Sequence, residues 1–248
     1  MKLIERLSGS ALAQAALTLL GYALYAAVLG ASLVPAVSIG VLAFRRLAAP
    51  ATGLGGIALF CLAAAGCLYL FFFVGLLLIG LLVRAFALGV KPGRHRTGSL
   101  VTLWWLLAGG ISTWAYRLIL PFVPMTFISQ TFYRLAGCRI GRNVFINSLE
   151  LNDPFLVSIG DNTVIGGGAV ITPHVFEAGR LILEPVTIGR DCLIGAEAYL
   201  SPGVEIGDGS VIGLRAFIRK GTRVPAGSRI FGLAGLPARR AHRRTQTR

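Results

Sequence analysis

An aliphatic residue returns at every sixth position through the last third of the chain, at Ile188, Ile194, Leu200, Ile206, Ile212, Ile218, Val224, Ile230 and Leu236. A half-buried strand repeats at about two residues and an amphipathic helix at about 3.6, so neither produces a fixed period of six. Such a period marks a solenoid of short parallel strands, each hexad forming one side of a triangular prism. The recurring aliphatic side chain fills the interior. Glycine follows it at Gly189, Gly195, Gly207 and Gly213, where the chain turns and a side chain would clash. A small residue or valine sits four places on, as in Ala198, Val204, Ser210, Ala216, Thr222 and Ser228.

The period extends upstream through Ile140 and Ile146, then Ile159, Ile165 and Ile171, with its register shifted at two interruptions. The first lies at residues 152–158. In the second, ITPHVFEAGRLILEPVTIG at 171–189, the chain leaves the prism and rejoins it at Ile188. Segments that leave a rigid scaffold are where binding and catalysis concentrate.

The hexads, the PVTIG at 185–189 and the closing VPAGSRIFGLAGLPARR resemble the left-handed β-helix, hexapeptide-repeat acyltransferases over roughly the last 110 residues. The resemblance implies transfer of an acyl group from acetyl-CoA or another acyl-CoA, with no metal. It also implies a homotrimer of parallel prisms with the donor's pantetheine arm lying between neighbours. On that likeness Gly195, Ala196, Ser201, Gly213 and Ala216 line the groove, and Arg219, Lys220 and Arg239 meet the phosphates. The chain departs from the soluble members at Leu193-Ile194-Gly195, in a shorter excursion after His174, and at Gly235-Leu236-Pro237-Ala238, which lacks an asparagine. With RLAGCRIG, LNDPFLVSIG and His174 to Phe176, it looks more like the membrane-embedded domain ending poly-lysine synthetase-type nonribosomal peptide synthetases. That looser likeness implies an amine acceptor, or a donor carried as a phosphopantetheine thioester on a carrier protein.

Composition concerns the other half. An apolar fraction of 55% exceeds that of soluble globular proteins and points to membrane spans. Residues 10–44 carry no charge and are long enough to cross a bilayer, with Pro35 as a place to bend. A signal peptide cleaved after Ala13 to Ala15 is the competing reading, but the apolar run outlasts a normal signal core. Arg45 and Arg46 precede a second span at 57–83. Arg84, Lys91, Arg94, His95 and Arg96 then outweigh that pair, which places the following chain in the cytoplasm by the positive-inside rule. Localisation in the cytoplasmic membrane as a multi-pass protein, with the prism facing the cytoplasm, follows.

A third apolar stretch, 100–128, is interrupted by Gly109, Gly110, Arg117, Pro121 and Pro124, and carries Trp104, Trp105, Trp114 and Tyr116. Aromatic residues beside arginine favour the headgroup level, so a bent or broken interfacial helix is expected rather than a span. The expected architecture is a transmembrane α-helical hairpin (1–98), an interfacial segment (99–136), a left-handed parallel β-helix (137–238) and a basic tail (239–248). The net charge of +14 gathers where no Asp or Glu occurs, from Arg6 to Arg142, which suits anionic lipid and not nucleic acid. Cys61, Cys67, Cys138 and Cys192 read as buried free thiols.

Of the three histidines, His95 and His242 lie in basic segments, and only His174 opens the long excursion. Acyl transfer needs a base that is neutral near pH 7, and imidazole suits that task. The resemblance puts the general base at His174. Its second ring nitrogen needs a partner, for which Glu177, Asp153, Glu150 or a backbone carbonyl are candidates, and a backbone N–H at a coil turn would meet the developing oxyanion. The reading is a membrane-bound acyltransferase acting on a hydroxyl or amine of a membrane-associated acceptor, such as a lipid-linked glycan, a lipid or a peptide. The alternatives are a noncatalytic trimeric membrane scaffold and a peptide-bond-forming domain serving a peptide synthetase. A three-histidine zinc site has too few histidines in the repeats. Transport has no polar intramembrane residue to support it.

Overall fold

The computed structural model describes residues 11–48 and 53–234. Helix α1 (Ala11–Ala43) contains Pro35 without interruption and continues into a π turn at Phe44–Ala48; it packs against α2 (Gly53–Ala87). Both helices are apolar on every side. Each has a stretch long and apolar enough to cross a membrane, Thr18–Arg46 with mean hydropathy 2.2 and Gly53–Ala87 with 2.7.

The second half of α2 has a different environment. Leu76, Ile79, Gly80 and Val83 are buried, and a Cβ added at Gly80 would lie 3.0 Å from the Cβ of Leu135. Strand β1 (Gly93–Arg96) follows, where a basic loop was expected, with His95 Nε2 2.7 Å from the Lys91 carbonyl oxygen. Helix α3 (Leu100–Trp114) begins at Ser99, whose side chain accepts a hydrogen bond from Thr102 N. It passes into a π turn at Ala115–Ile119 and a 3-10 turn at Leu120–Phe122 before α4 (Phe127–Leu135). Residues 100–128 are therefore broken, as the prolines suggested.

Helix α4 covers the first coil. Phe132 and Tyr133 are buried, Gln130 Nε2 donates to the Val144 carbonyl at 2.9 Å, and Tyr133 Oη donates to the Ser148 carbonyl at 3.3 Å. An exposed strand edge invites pairing with another chain, and this helix blocks it.

The chain then winds through three parallel sheets in rotation. One contains β2 (Arg139–Ile140), β4 (Val157–Ile159), β9 (Val186–Ile188), β12 (Glu205–Ile206) and β15 (Arg223–Val224). The second contains β3 (Phe145–Ile146), β5 (Val164–Ile165), β10 (Leu193–Ile194), β13 (Val211–Ile212) and β16 (Arg229–Ile230). The third contains β6 (Val170–Ile171), β11 (Tyr199–Leu200), β14 (Phe217–Ile218) and β17 (Leu233–Ala234). Ile188 pairs in register with Ile206 and Ile206 with Val224, so each inward aliphatic stacks on its counterpart three hexads later. Ala198, Val204, Ser210 and Ala216 are fully buried among them. The three parallel sheets of short strands expected from the repeat are present.

Both interruptions have structure. In the first coil the inward residue of the third side is Leu151, which bridges Ile171, and not the residue that a count of six would choose. The surplus is taken up from Asn152 onward, ending in a 3-10 turn at Pro154–Leu156. In the second, β7 (His174–Glu177) and β8 (Arg180–Leu183) form a hairpin. Its two-residue turn, Ala178 and Gly179, has positive φ at both positions, as a tight hairpin requires. Strand β1 pairs with the other edge of β8, so the connector from α2 holds the excursion in place.

The thiols correct one expectation. Cys138 and Cys192 are buried, with burial pushing the Cys138 thiol up to about 12, but Cys61 is exposed on the outside of α2. The lateral contact between coils is tight at glycine: a Cβ on Gly195 would lie 2.6 Å from the Gly213 carbonyl carbon. Backbone on the next coil cannot yield as a flexible side chain would. Gly195→Ala is expected to lower unfolding free energy by about 1–3 kcal/mol, the usual cost of overpacking, measured by denaturant unfolding followed by far-UV circular dichroism.

Candidate active site

His174 is the first residue of the hairpin that leaves the prism, directly after the inward Ile171 and the buried Thr172. Its Nδ1 lies 2.5 Å from Asp153 Oδ2, with side-chain exposures of 28% for the histidine and 4% for the aspartate. The carboxylate is shut away and the imidazole is accessible. Because a carboxylate only accepts, a neutral ring making this contact carries its proton on Nδ1 and leaves the Nε2 lone pair free.

Asp153 is fixed from the other side as well. Trp105 Nε1, on α3, donates to Asp153 Oδ1 at 2.8 Å. The same indole meets the His174 ring edge-on at a centroid distance of 4.9 Å and the Phe176 ring at 5.5 Å. Asp153 has φ of 45°, a left-handed conformation that costs a non-glycine residue energy and that clusters at functional sites. Thr172 Oγ1 is 3.5 Å from His174 Nδ1. Below the site, Val90, Leu156, Leu181 and Leu183 form a small apolar cluster against Val101, Trp105 and Phe155. Three separate pieces of chain therefore converge: the helix after the connector, the first interruption and the second.

The structure selects among the proposed partners of His174. Asp153 holds the ring. Glu177 does not: strand alternation sends it away from His174, and its Oε2 pairs with Lys220 Nζ at 2.6 Å in an exposed ion pair. Glu150 is exposed on the wall of a separate cavity. Trp105 was expected at headgroup level and turns inward instead. Tyr116 does likewise, its hydroxyl donating to the Leu151 carbonyl at 2.7 Å. An aromatic residue beside arginine carries no signal that separates these two uses.

The expected groove residues divide. Ile171 pairs with Leu200 and Leu200 with Ile218, so the residues that follow, Thr172, Ser201 and Arg219, form a column down the edge of the prism that bears His174. Ser201 is buried in that column and Arg219 is exposed. Gly195 and Ala196 are half-buried at a different corner. Gly213 is buried beneath Phe231, and Ala216 is fully buried inside the prism, so neither presents a surface to a ligand. Arg239, like His242 and the basic tail, lies outside the described residues.

A sequence model of the family described as "Hexapeptide repeat of succinyl-transferase" matches residues 156–173 and 185–214, on either side of the hairpin. The YvoF protein of Bacillus subtilis (strain 168), a proposed acetyltransferase, is 32% identical over 94 residues, which are 36% of this chain and 53% of that protein. The galactoside O-acetyltransferase of Escherichia coli (strain K12) is 37% identical over 83 residues, 30% of this chain and 41% of its own length. The delta-poly-L-ornithine synthetase of Acinetobacter baumannii (strain AB307-0294) is 27% identical over 117 residues, 47% of this chain and 9% of the synthetase. The chain thus spans about half the length of the first of these relatives and less of the other two.

Trp105→Phe keeps a ring against His174 and removes only the donor to a buried carboxylate, so a loss of about 1–3 kcal/mol in unfolding free energy is expected. Glu177→Gln, at an exposed ion pair, should cost less than about 1 kcal/mol. Comparing the two by denaturant unfolding checks which acidic residue is embedded in the site.

Proposed function

We propose that the chain, whose repeats match the hexapeptide-repeat family model at 156–173 and 185–214, is a membrane-bound acyltransferase with His174 as general base. The single observation that supports this reading most is the 2.5 Å contact from His174 Nδ1 to the buried Asp153, on a hairpin leaving the repeats. We assign the winding the left-handed sense of that family. We also divide the chain into a membrane region (1–98), a connecting helical segment (99–136), the prism (137–238) and a basic tail.

The donor thioester, on CoA, supplies the acyl group. Nε2 of His174 takes the proton of the acceptor hydroxyl or amine as that atom bonds to the thioester carbonyl carbon. The resulting imidazolium returns the proton to the sulfur as the carbon–sulfur bond breaks, giving an ester or amide and a thiol. Asp153 fixes the tautomer and offsets the positive charge, as the carboxylate does in related base assemblies. Trp105 keeps that carboxylate in place. Along the prism edge the exposed Arg219, below the buried Thr172 and Ser201, offers a cation for the phosphate of the donor. Lys220 is partly neutralised by Glu177.

A bilayer is the environment that suits α1 and α2. Only 17% and 28% of their most apolar windows are buried, whereas the core helix of a soluble protein would be mostly covered. Leu54, Ile57, Leu62 and Leu81 are among the large apolar side chains exposed on α2. We place the prism on the cytoplasmic side on the charge balance of the connectors. The second sheet of the prism presents Phe145, Val164, Leu193 and Val211 outward in one register, a partly exposed apolar ladder suited to contact with other copies in a trimer.

The similarity to the ornithine synthetase favours a second reading, in which the acceptor is an amine and the thioester rides on a carrier protein. Both readings use the same base. Membranes containing the full chain should move label from isotopically labelled acetyl-CoA into a lipid-extractable or glycan fraction. His174→Ala should lower that rate by about 10²–10⁴-fold, the usual contribution of a general base. Full transfer by the variant would remove His174 from the chemistry; transfer only from a carrier-bound donor would select the second reading.

A further inference from the structure

Between the broken end of α3 and the first coil lies a cavity of about 310 Å³ lined by Thr113, Tyr116, Arg117, Pro121, Leu149, Glu150 and Asn152. Its volume is at the low end of the range for small-molecule sites, about 300–1,000 Å³. One ring with a phosphate fits; a long peptide does not. The lining brings together a guanidinium, a carboxylate, a carboxamide and a hydroxyl, in contrast to the wholly apolar groove between α1 and α2.

The cavity adjoins the base. Asn152 N donates to the Ile171 carbonyl, which puts Asn152 one rung above Thr172 in the column that passes His174, about 4.8 Å away by strand spacing. The next residue is Asp153 itself. On the other wall, Arg117 sits within the π turn at Ala115–Ile119, a distortion that interrupts the regular helix and often marks a functional position. Leu118 and Phe122, which follow the lining residues Arg117 and Pro121 in sequence, are 50% and 63% exposed, apolar surface on the same segment.

Resting on the acyltransferase reading, we propose that this cavity holds the head of the acceptor: a sugar bearing a phosphate, its lipid portion lying along Leu118 and Phe122. Arg117 takes the phosphate through paired N–H donors. Glu150 and Asn152 take ring hydroxyls, and the hydroxyl or amine to be acylated extends past Asn152 to His174 Nε2. The membrane segment thereby selects the acceptor while the prism supplies the base and the donor groove.

Titration of the full chain in nanodiscs with glucose 1-phosphate, followed calorimetrically, tests this directly. Saturable binding is expected, with Kd raised at least tenfold in Arg117→Gln and raised in Glu150→Gln, both variants keeping the parent's thermal midpoint. Glucose alone and inorganic phosphate alone should each bind more weakly. Equal binding of inorganic phosphate would reduce the cavity to an anion site, and equal binding of glucose would remove Arg117 from recognition; either overturns the proposal, as does unchanged affinity in Arg117→Gln. Because binding is read without turnover, failure of acyl transfer in the labelling assay would sink the enzymatic reading and leave this result to stand by itself.

Discussion

At the carboxylate of Asp153 a helix before the repeats and the hairpin within them are held by one side chain. One oxygen accepts from Trp105 on α3 and the other faces His174 at the foot of the hairpin. A buried carboxylate without partners would be costly, and two hydrogen bonds from separate elements make its burial tolerable. Asp153 takes a left-handed backbone, as Asn143, Asn162, Asp191, Glu197 and Arg215 do at turns of the repeats. His174 is thus oriented by a residue from another coil, itself oriented by a helix outside the repeats.

That dependence explains why the prism is packed so firmly onto the segments before it. The buried core runs without a break from Leu76, Ile79 and Val83 of α2, through Ala108, Ile111 and Ala115, to Phe132, Tyr133 and the inward aliphatics of the coils. Small residues allow it: Gly75 and Gly80 bring α2 against Ile119 and Leu135. The pairing of β1 with β8 adds a second tie, directly to the hairpin that carries His174. In a bilayer, such a body would keep the edge that bears His174 at a fixed height above the lipid.

The repeats were legible in the sequence because each inward position makes the same demand, so the period accumulates over many coils. His174 was singled out through the family resemblance, as the histidine that opens the excursion. Its partner was narrowed only to Glu177, Asp153, Glu150 or a backbone carbonyl, without a choice among them. Glu177 lies three residues away in sequence but points off the opposite face of β7, whereas Asp153 arrives from the preceding coil, a relation that depends on how the first interruption is absorbed at Leu151. Trp105 was invisible for a related reason: the residue type that anchors at an interface also donates to a carboxylate, and only the docking of α3 decides between them. Ala216 and Gly213 were misplaced because small residues serve both the inside of a coil and its outer groove.

The tautomer of the His174 ring decides whether Nε2 is free to act as the base. Nitrogen-15 NMR of the full chain in nanodiscs, with labelled histidine and His174→Ala to assign the signal, reads which ring nitrogen bears the proton. In its neutral form the ring is expected to bear its proton on Nδ1, toward Asp153, with Nε2 unprotonated and ready to accept. A ring protonated at Nε2 in that state would leave no base facing the acceptor and would contradict that expectation.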